Sequence, residues 1–264
     1  MPGRRPLSSR PFLHIVLGIL WAGLILTAVA SSTAATVVLL IPIGIVASVS
    51  AVRAVSLRFD SRVAGSRTRW LVVTGSRYGI AIMAPLALPL AALGGPGPAV
   101  AATALMIVGG GVIMFAARPS AGALFYLRLL AGILGPSVAS MAVVLARSQG
   151  TNEAVALVAA VCAYDMAAFI FGTGRGALGG AGGVVAGMLT VAVVAVFTAA
   201  AIDPPFSGSR PWIVFGVVAS LAPAGVALLN LVVSGARLPA LRRLDSLALS
   251  GPAWVIAVAL VLHR

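Results

Sequence analysis

The chain contains no lysine; its 18 basic residues, the two histidines aside, are all arginine. That absence excludes Schiff-base chemistry and lysine–phosphate contacts, so any bound anion falls to arginine or to backbone amides. Acids are scarcer still: Asp60, Glu153, Asp165, Asp203 and Asp245 are the only five. Charged residues make up 9% of the chain and hydrophobic residues 61%. A soluble domain carries roughly 25% charged residues, so an ordinary soluble fold is excluded. A single cysteine, Cys162, rules out an internal disulfide. Set in an apolar run, it reads as a small buried side chain. His14 and His263 have no second ligand at metal-binding spacing and read as interfacial.

What the chain does have is apolar length. A helix crossing the hydrocarbon needs roughly 20 apolar residues. Nine stretches approach this: 12–30, 34–52, 70–93, 99–117, 121–146, 153–172, 183–202, 211–234 and 247–263. The expected fold is all-α, a polytopic transmembrane helical bundle forming one integral membrane domain over 1–264. The third stretch is the least regular, because Arg77 interrupts it. Arg4, Arg5 and Arg10 before the first stretch, with Ala28-Val29-Ala30-Ser31-Ser32 after it, imitate a cleavable signal. The run is long for such a signal and a second span follows at once, so we expect it to be retained.

Helix breakers fall mostly between the stretches. Gly94-Gly95-Pro96-Gly97-Pro98 predicts a tight turn, 179–183 a flexible glycine-rich connection, and Asp203-Pro204-Pro205 a helix end. Pro136 and Pro223 lie inside stretches and predict kinks. Gly109-Gly110-Gly111 predicts close packing or a local break. No internal repeat is visible, which deprives an inverted-repeat transporter of support.

Arginine placement gives an orientation. With a cytoplasmic N-terminus, the inner segments hold Arg4, Arg5, Arg10, Arg53, Arg58, Arg62, Arg67, Arg69, Arg118, Arg175, Arg237, Arg242 and Arg243, or 13. The outer segments hold Arg147, Arg210 and Arg264, or 3. Arg77 and Arg128 are left within or near spans. The positive-inside rule then favours the N-terminus inside, the C-terminus outside and an odd number of spans. Basic charge of this kind needs no nucleic acid. The run at 53–69 is explained by topology, with anionic lipid headgroups as the alternative.

Two acids stand out in this frame. Asp165 lies inside the sixth stretch, where an acid costs on the order of 3 kcal/mol on insertion scales. Asp245 lies where a loop meets the last stretch. The topology brings both towards the cytoplasmic face, together with Arg175, Arg237, Arg242 and Arg243. Acids beside arginines suit a metal ion and a phosphorylated substrate. Asp165, Ala168, Phe169 and Gly172 share one helix face by their spacing. Without further context that face reads equally as a packing stripe whose acid pairs with Arg128 or Arg77.

The segment Tyr164-Asp165-Met166-Ala167-Ala168-Phe169-Ile170-Phe171-Gly172 resembles the Asp-x-x-Ala-Tyr-x-x-Gly segment of phosphatidate cytidylyltransferases, the CDP-diacylglycerol synthases, with Phe169 in place of tyrosine. Arg243-Leu244-Asp245-Ser246-Leu247, followed by an apolar segment with Pro252, resembles that family's Asp-Arg-x-Asp-Ser ending. The two matches occur in the family's order and cover the C-terminal part, 151–264; the half over 1–150 is more divergent. Arg242 stands where the ending has its first acid, and Arg237-Leu238-Pro239-Ala240 stands where the family has His-Gly-Gly.

The resemblance implies transfer of CMP from CTP to phosphatidate, with release of pyrophosphate. It implies Mg²⁺ held by Asp165 and Asp245, Arg243 as an anion clamp and Ser246 as a hydrogen-bonding partner of phosphate or ligand. Arg175 and Arg237 join as phosphate contacts by placement. The implied partners are CTP and membrane lipid, in a multi-pass cell-membrane protein compatible with a homodimer. Two other readings stand beside this one. A non-catalytic scaffold or lipid-binding relative keeps the bundle without the reaction, and a small-solute or ion-coupled transporter uses the two acids for ion coupling.

Overall fold

A computed structural model of the protein describes residues 11–59, 67–117, 123–172, 180–202, 205–232 and 243–262. Among them are nine helices and no strands. They are α1 (Pro11–Ser31), α2 (Thr33–Phe59), α3 (Arg67–Ala92), α4 (Pro96–Ala117), α5 (Ala123–Gln149), α6 (Thr151–Phe171), α7 (Gly180–Ala201), α8 (Arg210–Val232) and α9 (Arg243–Val261). Each expected stretch has become one helix. Seven of them, α2 and α4 to α9, are long and apolar enough to cross a membrane. The apolar part of α1 is the shorter Gly18–Ser31. The protein is a helical membrane bundle.

Connections are short where the sequence supplies the chemistry for them. Ser32 caps α2 by accepting the Ala35 amide at 3.0 Å, which satisfies one donor left open at a helix start. The α3–α4 turn places Gly95 at φ 96, where an L side chain would be strained. Gly150 alone separates α5 from α6. Asp203 and Pro204 lie outside the described residues, as do His263 and the side chain of His14.

Two sequence expectations need correction. The glycines from Gly180 onward begin α7 rather than a flexible connection. Gly183 lies so close to α6 that a Cβ there would stand 2.9 Å from the Ala168 carbonyl, so helix contact holds the segment in helical form. Gly109-Gly110-Gly111 causes no break, and α4 runs through it. A Cβ on Gly110 would meet Leu130 at an ordinary 3.5 Å, and Gly109 faces open space, so this run makes no unusually close packing either.

The most buried span is α5, which packs against α2, α3, α4, α6, α8 and α9. It continues through Pro136. Proline leaves the Gly132 carbonyl, four residues back, without its usual backbone donor, and serine hydroxyls bond to the next carbonyl along. The Ile133 carbonyl accepts from Ser137 Oγ at 2.7 Å and from Ser48 Oγ of α2 at 3.1 Å. Pro223 likewise lies inside a continuous α8. At the far end of α5, Arg147 Nε donates to the Val29 carbonyl at 2.8 Å, and Gln149 Nε2 to the Val255 carbonyl at 2.8 Å. Gly251 of α9 meets Ala142, so α9 and α5 run parallel and their N-termini share one end of the bundle. Since α6 turns back at Gly150, its C-terminus points to that same end.

Buried apolar side chains form two clusters. The larger draws on all nine helices and includes Tyr164, Leu157 and Trp254. Phe206, Phe215 and Trp254 pack together within it, Phe215 edge to face on Trp254 with centroids 5.2 Å apart. The smaller joins α2, α3, α4 and α5 around Val52, Ile80, Phe125 and Ile133. The least buried spans are α4 and α7, whose large apolar side chains (Leu105, Val108, Leu189 and Phe197 among them) face outward, as a bilayer-facing surface requires.

Candidate functional site

At the end shared by α5, α9 and the close of α6, one hydrogen bond joins residues 81 positions apart. Ser246 Oγ donates to Asp165 Oδ2 at 2.9 Å. Asp165 sits in the last two turns of α6, and Ser246 in the first turn or so of α9. Ser246 is fully buried, while Asp165 and Asp245 are half-buried. An ionised carboxylate only accepts hydrogen bonds, so the serine must be the donor. Such charge-assisted bonds contribute about 1.5–3 kcal/mol. Ser246 is itself braced, since Ser250 Oγ donates to its carbonyl at 2.6 Å.

The first turn of α9 carries Asp245. The positive end of a helix dipole stabilises nearby negative charge by about 0.3–1 kcal/mol, so both acids gain from this helix end. Glycine fixes the turn in place. A Cβ on Gly225 of α8 would stand 2.5 Å from the Asp245 carbonyl oxygen, so only glycine lets α8 lie against that backbone. The Asp165 side of the site is held in the same way. A Cβ on Gly187 would meet the Tyr164 ring at 2.6 Å, and Gly183 abuts Ala168. These two glycines are spaced as Gly-x-x-x-Gly, the pattern that lets membrane helices approach closely. They clamp α7 onto α6 on either side of Asp165.

The predicted site residues therefore divide. Asp165 and Ser246 come together, and Asp245 precedes that serine in the first turn of α9. Arg243 is the first residue of α9, but its side chain lies outside the described part. Arg175, Arg237 and Arg242 lie outside the described residues altogether. The expected common face of α6 is split: Ala168 is buried, whereas Phe169 is 44% exposed. Phe169 comes one turn beyond Asp165, on the side of the helix that leaves the bundle. Of the two arginines considered for Asp165, Arg77 donates to Ser56 Oγ at 3.1 Å in the smaller cluster.

Gly225, Gly183 and Gly187 were missed as determinants of the site. The spacing of the last pair was legible; the closeness of Gly225 to Asp245 was not, because it depends on which helix lies beside α9. The donor set is all oxygen, namely two carboxylates and a hydroxyl. That suits a hard cation such as Mg²⁺, which keeps several waters and takes only one or two carboxylates. No group of three or more His, Cys, Asp or Glu occurs among the described residues. Further ligands would then have to come from substrate oxygens and water. No family model, curated protein or solved structure matches the chain.

Proposed function

We propose that this protein is a membrane-embedded nucleotidyltransferase of the phosphatidate cytidylyltransferase type, transferring CMP from CTP to phosphatidate. The observation that carries the reading is the Ser246–Asp165 hydrogen bond. It joins the two stretches on which the sequence resemblance rests, and it does so at a helix N-terminus suited to negative charge. In this reading the chain crosses the cell membrane nine times with its N-terminus in the cytoplasm, as the arginine bias favours. The Asp165–Asp245 end then faces the cytosol, where CTP is found.

The reaction forms a bond between a phosphatidate oxygen and the α-phosphorus of CTP and breaks the α–β phosphoanhydride, releasing pyrophosphate. Asp165 and Asp245 would hold Mg²⁺, which when bound offsets phosphate charge. Ser246 fixes the rotamer of Asp165 by donating to one of its carboxylate oxygens. Arg243, Arg175 and Arg237 would grip phosphate oxygens through their planar forks.

The test is CDP-lipid formation by the purified protein in lipid nanodiscs supplied with CTP, Mg²⁺ and phosphatidate. Asp165→Asn and Asp245→Asn should each lower the rate by at least about 100-fold, the effect of losing several kcal/mol of charge stabilisation. Product no greater than that of these variants would overturn the reading.

A second reading, a non-catalytic relative that kept the bundle, is favoured by one feature. The Ser246–Asp165 bond and the Gly225 contact form a complete helix tie without any ligand. It predicts that Ser246→Ala lowers stability while no CTP-dependent product is detected in either protein.

A further inference from the structure

The proposed reaction makes no use of Tyr164, which precedes Asp165 on α6. Its side chain is fully buried, and its hydroxyl finds no hydrogen-bond partner among the described residues. A polar group buried without a partner costs free energy. Phenylalanine would fill the same space without that cost, so packing alone does not account for the hydroxyl. The phenol also lies within electrostatic reach of the Asp165 carboxylate. An unused donor thus sits beside the acid of the candidate site.

Helix α7 covers the ring. A Cβ on Gly187 would stand 2.6 Å from two ring carbons of Tyr164, and one on Gly183 would stand 2.9 Å from the Ala168 carbonyl. At both positions bare backbone rests on α6, so no interlocking side chain has to change rotamer there for α7 to shift. This helix is among the least buried spans and packs chiefly on α6 and α8. Its Leu189, Val193 and Phe197 face outward, towards lipid. Moving α7 would uncover Tyr164 from the bilayer side and leave the main helix contacts of α5 in place.

We propose that α6 and α7 form a lateral entrance from the bilayer, and that the Tyr164 hydroxyl receives an entering anionic glycerophospholipid by donating to a phosphate oxygen. In the arrangement seen, the contacts at Gly183 and Gly187 hold the entrance shut. A phenol suits the task because it offers one neutral donor, and a hydrogen bond to a charged oxygen gains strength where water is scarce. The identity of the lipid rests on the phosphatidate reading of the Asp165 end. The entrance and its receiving group rest on the buried hydroxyl and the glycine contacts.

The full-length protein in nanodiscs tests both parts. Tyr164→Phe should melt no lower than wild type in phosphatidylcholine, since no hydrogen bond is lost. Native mass spectra of lipid retained from phosphatidylcholine–phosphatidate mixtures should show wild type preferring phosphatidate. The variant should lose about tenfold of that preference, the effect of one hydrogen bond to a charged group. In the CDP-lipid assay its KM for phosphatidate should rise by a similar factor at unchanged KM for CTP. A lower melting temperature, a preference equal in the two proteins, or no preference in wild type overturns the proposal. For the entrance, Phe171→Cys/Gly182→Cys is made in a Cys162→Ala background; both positions are exposed, and a Cβ on Gly182 would lie 3.8 Å from the Phe171 carbonyl. A disulfide there, or a short bismaleimide if none forms, should block phosphatidate uptake, and retention unchanged by the tether overturns the entrance. Retention needs no turnover. Retained phosphatidate without any CDP-lipid therefore sinks the cytidylyltransferase reading alone, whereas turnover with equal phosphatidate KM and retention sinks the Tyr164 proposal alone.

Discussion

A half-buried acid, Asp165, and a buried cation, Arg77, are each met by a serine from a neighbouring helix. Asp165 of α6 accepts from Ser246 of α9 at 2.9 Å. Arg77 of α3 donates to Ser56 of α2 at 3.1 Å. The surroundings differ. Asp165 lies near the positive end of α9, with a second acid, Asp245, next to its serine in the chain. Arg77 of α3 meets Ser56 of α2 and also lies over the Phe125 ring of α5. The same small hydroxyl thus supports opposite charges.

The largest effect that would break this contrast is expected at Gly225. Gly225→Val pushes α8 off the Asp245 backbone, which cannot yield as a side chain could; a loss of about 3 kcal/mol, the upper range of overpacking, should appear in thermal unfolding. Gly216→Ala on the same helix faces open space and should stay within about 0.5 kcal/mol.

Ser246→Ala removes the donor to a carboxylate and should cost about 2 kcal/mol. Ser56→Ala should cost only about 1 kcal/mol, because Arg77 keeps the Phe125 ring and its long stem can re-aim the charged head. If denaturation midpoints show equal losses for the two serines, the asymmetry drawn above is wrong. Arg77→Lys keeps the charge but loses the planar stacking, and should cost about 1 kcal/mol in the same assay. The smallest effect is expected at Gly110 of α4, where alanine fits at ordinary contact distance. Gly110→Ala should stabilise by about 0.5 kcal/mol through helix propensity alone.

Much of the fold was legible because the bilayer's thickness imposes a length on each apolar stretch. All nine stretches became helices, and the boundaries moved by a few residues at capped or glycine-bearing ends, as at α7. The juxtaposition of Asp165 and the Asp245–Ser246 pair was also foreseen, since an alternating path through a membrane sends the end of α6 and the start of α9 to one side. Phe169 was misplaced because spacing fixes a side chain's angle on a helix but not which angles have a neighbour. Arg77 read as an interruption of its span, and its sequence neighbours gave no sign that Ser56 and Phe125 would receive it.

The sequence by itself determined that this is a helical membrane protein, which stretches become helices among the described residues, and which few charged residues must be accounted for. Those properties follow from local composition and from the cost of exposing polar groups to hydrocarbon. Only the tertiary structure decided that Ser246 answers Asp165, that Gly225, Gly183 and Gly187 hold the helices close enough for it to do so, and that Arg77 is enclosed by three helices. Such contacts depend on which helices become neighbours, and in a bilayer apolar surface does not select neighbours. Close packing of small residues and a handful of hydrogen bonds make that choice.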